Sequence, residues 1–439
     1  MPRSRFSVSR AIASLIRRTA PCLMLPIAFS VRADGQNVSA ATSLTLSAVL
    51  NAVRLHHPLV SAAQARVRAA TGTRTTAGVF GNPVLGYQVD NTPFPGGKPI
   101  AGLEREAFTT ATLPLEPFYQ RGSRVKRADA EVRAAQADAA GTRQRIALDA
   151  TRAFYRVALG QVAAATGRDL AAWLDTVVTY NSARVKEGVT AEADLIRSRL
   201  ERDRAEAEET MSKADLAMAR AELAAYLGDP AVVTIEAMVR ELPLSIPVSD
   251  SFSSSDVVGR RPDIRAAHER VEAAAAGIAI EHRMLFRQLG ATIGTKQTAG
   301  TTSMIAGLSL PIPIFDANRG EVERARAEQE IATFDLANQQ HVATAEVTGA
   351  REAAHLLSDR ASLLARGGTE SFLSRAGEGR RIALGAYREG AVPLLQVIDA
   401  ARAWGEARMT FYRTLYAQHQ SVLSLIVATG GDLYATHEP

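Results

Sequence analysis

The residues able to do chemistry in this 439-residue chain are few and scattered. His56-His57 is the one adjacent pair among its 8 histidines. Neighbouring positions on a helix point in different directions and do not converge on one ion, so the pair reads as polar residues at a helix end. Glu281-His282 reads the same way. Glu352 and His355 have an i, i+3 spacing that shares one helix face, and a solvated surface pair is the simpler reading. There is no Gly-x-Ser-x-Gly, no His-Glu-x-x-His, no phosphate loop and no pair of cysteines. The sequence therefore predicts no catalytic centre, no bound cofactor and no metal site, and it does not read as an enzyme.

The remaining residues describe a scaffold. The chain is 46% apolar but only 5% aromatic, with abundant Ala, Arg, Glu, Gln and Leu, which favours helix. A net charge of +5 can signal a nucleic-acid or anionic-membrane partner. Here Arg alternates with Glu and Asp along helical stretches such as RAEAEETMSKADLAMARAEL, which is the pattern of solvated faces, so no nucleic-acid partner is expected. MPRSRFSVSRAIASLIRR is basic without an acid, and APCLMLPIAFSV is too short to span a bilayer. Together with VRA ending at Ala33 they read as a signal peptide over residues 1–33. The single cysteine, Cys22, lies inside it and precedes the apolar run, which makes it a poor lipid-attachment site.

The elements come twice. RRPDIRAAHERVEAA at 260–274 is echoed by HHPLVSAAQARVRAA at 56–70, with seven of thirteen positions from Pro58 to Ala70 identical at an offset of 204. The Leu-Pro at 113–114 returns at 310–311, an offset of 197. At that offset Val125, Arg127, Ala128, Ala130 and Glu131 match Val322, Arg324, Ala325, Ala327 and Glu328. KEGVTAEADLI answers REGAVPLLQVI through Gly188/Gly390 and Ile196/Ile398. An ordered series of matches at a nearly constant offset is a duplication. Each half reads helix, strand, strand, long helix, turn, helix. The first half has one helix over about 44–79, strands in VLGYQVD and EAFTTATLPL, and a helix over about 119–186. At ~1.5 Å per residue that last helix is roughly 100 Å long, with Gly122, Gly141, Gly160 and Gly167 as its weak points. In the second half, GATIGTKQT and TSMIAGLSLPIPI are the strands, and no proline interrupts the following helix before Pro393.

Four strands cannot close a barrel, since the smallest closed barrels have about eight, and open edges are a hazard. Several copies pooling their hairpins would solve this. The long helices carry alanine and charge with a thin apolar stripe, which suits a hollow tube wet on both sides. The alternative is a non-pore periplasmic coiled-coil scaffold or adaptor, which leaves the hairpins without a role.

On NPVLGYQV, RRPDIRAA, LSLPIPIFDANRGEVERARAE and YREGAVPLLQVIDA, the chain resembles the TolC-type outer-membrane efflux factors over about residues 42–430. The third piece is most similar to the CzcC-like branch of heavy-metal cation efflux. The resemblance implies a mainly α fold with a small β part. It would be a homotrimer with a periplasmic α-helical tube and a shared barrel in outer-membrane lipid, 12-stranded because three copies supply four strands each. The implied division is residues 1–33 signal peptide, 34–227 first repeat and 228–255 connector or belt, then 256–429 second repeat and 430–439 tail. The hairpins fall at about 83–115 and 288–313. The helix at 44–79 would stack on 191–227, and 256–287 on 393–428. The turns at Gly188 and Gly390 would form the periplasmic tip. Asp194 and Asp399 would contribute to an acidic entrance ring, and Tyr387 stands where the family has a gate tyrosine. Gln396 stands where an aspartate is common, and Val392 where some members have a locking arginine. The plainer role for Asp194 and Asp399 is to cap the helices after the turns. The implied function is a passive outer-membrane exit duct for heavy-metal cations, working with a periplasmic adaptor (membrane fusion protein) and an inner-membrane, proton-driven RND-type pump. Drug or small-molecule efflux is the alternative cargo within the family.

Overall fold

The computed structural model describes residues 44–93, 95–98, 102–228, 257–284, 289–366 and 371–434. The expected signal peptide, the 228–255 connector beyond Gly228 and the last five residues of the tail lie outside them.

The first helix ends early. Helix α1, Leu46–His56, is capped by Thr45, whose hydroxyl accepts from the Ala48 N–H at 3.2 Å, and it buries Val49, Leu50 and Val53. His57 is extended (φ −69°, ψ 125°) because Pro58 follows it, and a residue before proline is pushed out of the helical region. Helix α2, Pro58–Ala77, then starts with proline in its first turn, and His57 Nδ1 accepts from the Leu59 N–H at 3.2 Å. One expected helix over 44–79 is therefore two.

Strands β1, Val84–Asp90, and β2, Glu106–Pro114, lead into helix α3, Pro117–Lys186, of 70 residues. Helix α4 is Glu192–Leu227, and Gly228 closes it in the left-handed region at φ +70°. In the second repeat come helix α5, Pro262–Arg283, and strands β3, Gly290–Thr298, and β4, Thr301–Ser309. Helices α6, Arg319–Ala365, α7, Phe372–Arg388, and α8, Leu394–Ala428, complete it. The expected second long helix is thus interrupted. Arg366 is extended (ψ 149°), and Ser371 caps α7 by accepting from the Ser374 N–H at 3.3 Å. The sequence there reads RGGTES, where the paired glycines lack helix propensity and a serine offers a fresh cap.

Two glycines that read as weak points in α3 are packing requirements. A Cβ on Gly167 would lie 2.9 Å from Glu209 Cα, and one on Gly160 would lie 3.4 Å from Leu216 Cα. The backbones of α3 and α4 meet there, seven residues apart on α3, so the side-chain hydrogen is what lets them close. The largest core surrounds the middle of α3, where Ile146, Phe154, Tyr155 and Val157 pack with Val49 and Val53 of α1, Leu223 of α4 and Leu423 of α8. Leu433 of the tail joins them, held by Arg143–Asp432 at 3.0 Å and by Gln144 donating to the Gly431 carbonyl at 3.1 Å.

The repeated RRPD segment is a knot. Arg261 reaches Asp263, Glu346 of α6 (both 2.7 Å) and the Ala428 carbonyl at the end of α8 (3.4 Å). The end of α8 thereby meets the start of α5. In the first repeat, Tyr226 near the end of α4 stacks on His57 with ring centroids 6.0 Å apart, so α4 meets the start of α2 while α1 lies against α3.

All four strands form one antiparallel sheet in the order β1-β2-β3-β4, so the two repeats are joined through β2 and β3. Asn318 anchors the exit from this sheet. It takes a left-handed conformation (φ +56°), is buried, and donates to the Glu281 carbonyl (2.8 Å) and carboxylate (3.1 Å) of α5.

Candidate functional site

Two regions carry the functional geometry, the turns at the far end of the long helices and the faces of the sheet. Both turns have the same backbone. Gly188 and Gly390 sit at φ +70° and +77°. In each, the residue after the glycine donates five residues back, Val189 to the Arg184 carbonyl (2.9 Å) and Ala391 to the Ala386 carbonyl (2.8 Å). The glycines themselves donate to Val185 and Tyr387. This pairing uses up the open carbonyls of a helix end and needs a left-handed residue, so glycine stands there in both repeats.

Around the turns the candidates divide into two groups. Tyr387 is buried among Val177, Leu394, Val397 and Ile398, and its hydroxyl donates to Asn181 Oδ1 at 2.7 Å. Tyr180 packs edge-on against it at 5.8 Å, donates to the Arg388 carbonyl at 3.2 Å, and lies under the Arg184 guanidinium. Burial, and then the negative charge of Asp194, push the Tyr387 phenol above its ordinary pKa, so it stays a neutral donor. Asp194 is half-buried in the first turn of α4, where its charge complements the helix dipole. Asp399 and Gln396 are exposed on α8. Asp399 faces Arg402, whose charge is favoured first by its hydrogen bond to Glu201 of α4 (3.2 Å) and further by the Glu201 and Asp399 charges. Neither aspartate caps a helix. The caps of α4 and α8 are Ala191 and Pro393, with no side-chain bond. Asp194 therefore bears on the Tyr387 cluster, and Asp399 bears on the α4–α8 ion pair.

The sequence reading missed a second fastening of α7. Arg380 lies between the only two tryptophans of the chain, 3.8 Å from the Trp404 ring centre and 5.3 Å from that of Trp173. Arg408 also lies over Trp404 and pairs with Asp169 at 2.6 Å. Burial lowers the Arg380 pKa, with Asp169 opposing and the Arg408 charge adding. Two tryptophans in a chain so poor in aromatics were the available signal.

The sheet has two unlike faces, fixed by its register. Leu85 and Tyr87 share a face with Leu113, Ile293, Met304 and Leu308. Gly86 and Glu106 share the other with Thr110, Thr292, Gly294 and Lys296. Along β3 exposure alternates, with Ile293, Thr295 and Gln297 exposed and Thr292, Gly294 and Lys296 half-buried. Along this strand the face that carries the large apolar side chains is the more exposed, and the polar face the more sheltered. Outer-membrane barrels carry this arrangement, apolar toward lipid and polar toward the lumen. β1 and β4 are the unpaired edges of the sheet within the chain. Among the described residues, no helix is long and apolar enough to cross a membrane, and no three His, Cys, Asp or Glu side chains converge to hold a metal ion.

Comparison with known proteins agrees with this geometry. Residues 254–431 match the outer membrane efflux protein family. The chain is 25% identical over 404 residues, 88% of its length and 90% of the other's, to the cobalt-zinc-cadmium resistance protein CzcC of Cupriavidus metallidurans. It is 24% identical over 314 residues, 70% and 69% of the two lengths, to the nickel-cobalt-cadmium resistance protein NccC of Alcaligenes xylosoxydans xylosoxydans. Its fold matches that of the outer-membrane channel OprN with a TM-score of 0.75 and 20% identity, covering 89% of this chain and 90% of that one. A duplicated helix–hairpin–helix chain with a two-faced sheet is thus similar to the outer-membrane efflux channels, and its second repeat matches the outer membrane efflux protein family.

Proposed function

We propose that three copies of the chain close into a passive exit duct that carries heavy-metal cations from the periplasm to the exterior. The observation that carries the closure is the sheet, which has an apolar face, a polar face and an unpaired strand at each edge. A four-stranded piece is too narrow to close alone, and three such pieces give a barrel of about twelve strands. Lengthwise stripes on the helices support the same assembly. Ile331, Phe334, Val342, Leu356 and Leu363 of α6 are exposed, as are Ile196, Leu200, Met211 and Met218 of α4. Each set follows heptad-like spacing, as expected of seams that pack against a neighbouring copy.

The metal cargo is supported by the resistance proteins to which the chain is similar. A duct has no drive of its own, so a periplasmic adaptor and an inner-membrane RND-type pump complete the pathway in this reading. The entrance is assigned to the helix turns. Asp399 and Gln396 face solvent on α8, while Tyr387 ties α7 to Asn181 of α3, within the field of the Asp194 charge at the start of α4. Rings of carboxylates favour cations in a narrow opening. The test is oligomer mass in detergent, followed by ion selectivity in a planar bilayer for the wild type and Asp399→Asn. A trimer with cation-selective openings that weaken in the variant is expected. A monomer would overturn the duct, and a trimer whose selectivity ignores the variant would remove Asp399 from the entrance.

A further inference from the structure

The polar face of the sheet holds one close ion pair. Lys296 Nζ lies 2.7 Å from Glu106 Oε1, and their side chains are 34% and 22% exposed. The pair is braced. Thr298 donates to the same Glu106 oxygen at 3.3 Å, and the ammonium lies 5.5 Å over the ring of Phe108. Apart from Asp90, the rest of the polar face is uncharged, with Thr110, Thr112, Thr292, Gly86, Gly294 and Gly307 on it. Asp90 is the other charge on this face, directly opposite Glu106 on the neighbouring strand, and it accepts from Gln88 at 2.8 Å. All three groups lie at the hairpin-turn end of the strands, close to the turn at Ala299-Gly300 and away from the ends that join the helices.

We propose that the Glu106–Lys296 pair sets the ionic preference of the channel mouth on the side opposite the helices, a specificity-determining site separate from the entrance turns. This rests on the duct reading, because it requires the polar face to line the lumen. Each copy presents two carboxylates and one ammonium there, so the mouth is net acidic by the narrow margin that Lys296 leaves. Losing Glu106 frees the ammonium, and losing Lys296 frees the carboxylate. A half-buried pair on a hydroxyl-lined wall is thus a balance point, where losing Glu106 leaves the three groups neutral and losing Lys296 doubles their net negative charge.

The test uses the full chain in outer membranes of intact cells. Thr110→Cys lies on the polar face four residues inward from Glu106, roughly 13 Å along the strand. Its labelling rate is measured with a cationic and with an anionic membrane-impermeant thiol reagent, each added from outside. Ile293→Cys on the apolar face is the control. In the Thr110→Cys background, Glu106→Gln is expected to shift the rate ratio toward the anionic reagent by roughly threefold or more at about 10 mM salt. Lys296→Met should shift it in the opposite direction, and the double variant should return it toward the starting value. Lys296→Met decides the matter alone if Glu106→Gln does not assemble. If Thr110→Cys labels, Ile293→Cys does not, and neither charge variant moves the ratio, the duct stands and the pair is overturned. If Ile293→Cys reacts as readily as Thr110→Cys, the polar face is not a lumen and the duct reading falls with the proposal.

Discussion

Helix α3 and helix α7 reach the same end of the molecule in different ways. α3 runs 70 residues without a break and packs against α1, α2, α4, α5 and α8. α7 has 17 residues, begins after an interruption, and buries one side chain, Tyr387. Their glycines show the contrast best. Gly160 and Gly167 of α3 admit the backbone of α4, whereas a Cβ at Gly379 or Gly385 of α7 would meet nothing within 4 Å. One helix spends helix propensity on tight packing, and the other gives it up without gaining contact. α7 is also fastened to α3 through side chains, Tyr387 to Asn181, Tyr180 to the Arg388 carbonyl, and Arg380 to Trp173. The lesson is that duplication preserved the turns while the segment leading into the second one became the softer element.

The contrast can be broken at its strongest point first. Phe154→Ala empties the core around α3 and is expected to cost about 3–5 kcal/mol, read as a fall in the thermal unfolding midpoint. Phe334→Ala, on the exposed stripe of α6, should leave the protomer fold nearly unchanged and weaken the oligomer instead, seen by native mass spectrometry. Next come the glycines. Gly167→Ala should destabilise by about 1–3 kcal/mol through the clash with α4, while Gly379→Ala and Gly385→Ala should each stabilise α7 by up to about 1 kcal/mol. Amide hydrogen exchange over 372–388 separates the two outcomes, and equal effects at both helices would end the comparison.

Smaller effects sharpen it. Tyr387→Phe removes the donor to buried Asn181 and should cost about 1–2 kcal/mol, with faster exchange in α7 and none in the middle of α3. Arg380→Gln should loosen α7 by about 1 kcal/mol, the scale of a partly buried cation over an indole ring, again without touching the α3 core. The smallest concerns the fixed end of the second repeat. The Asp263 carboxyl works against its burial, and the Arg261 guanidinium and the Ile264 N–H hold it below the ordinary value of 3.8. Its contribution is complete above that value and is lost as the pH falls beneath it. Acid titration should therefore release the α5–α8 junction below about pH 4, and Asp263→Asn should flatten that step.

The architecture was legible wherever the signal was periodic or repeated. The matches between 58–70 and 262–274 fixed the duplication, and Gly188 and Gly390 stood out because a left-handed helix end selects one residue type. The break at His57 was legible too, since Pro58 announces it, but the apolar spacing across 44–79 outweighed the proline. The interruption at 366–371 has a weaker mark, two glycines and a serine in a chain with many of each. The fastening of α7 was invisible because Asn181 and Tyr387 are 206 residues apart, and nothing local to either names the other. Asp194 and Asp399 look equivalent when counted from their glycines. The fold places one beside a buried phenol and the other on an exposed helix face beside an arginine, a distinction made by tertiary packing alone.

The two unpaired edges of the sheet bear on how the molecule is made and retired. A wall section with open backbone on both sides cannot rest singly in hydrocarbon, because each unmet amide or carbonyl there costs several kcal/mol. In the proposed duct, folding of the strands, meeting of the copies and insertion into lipid are then one event. The finished ring should neither exchange a damaged subunit nor mix with later-made ones, so each generation of channel would keep its own membership until the whole ring is degraded.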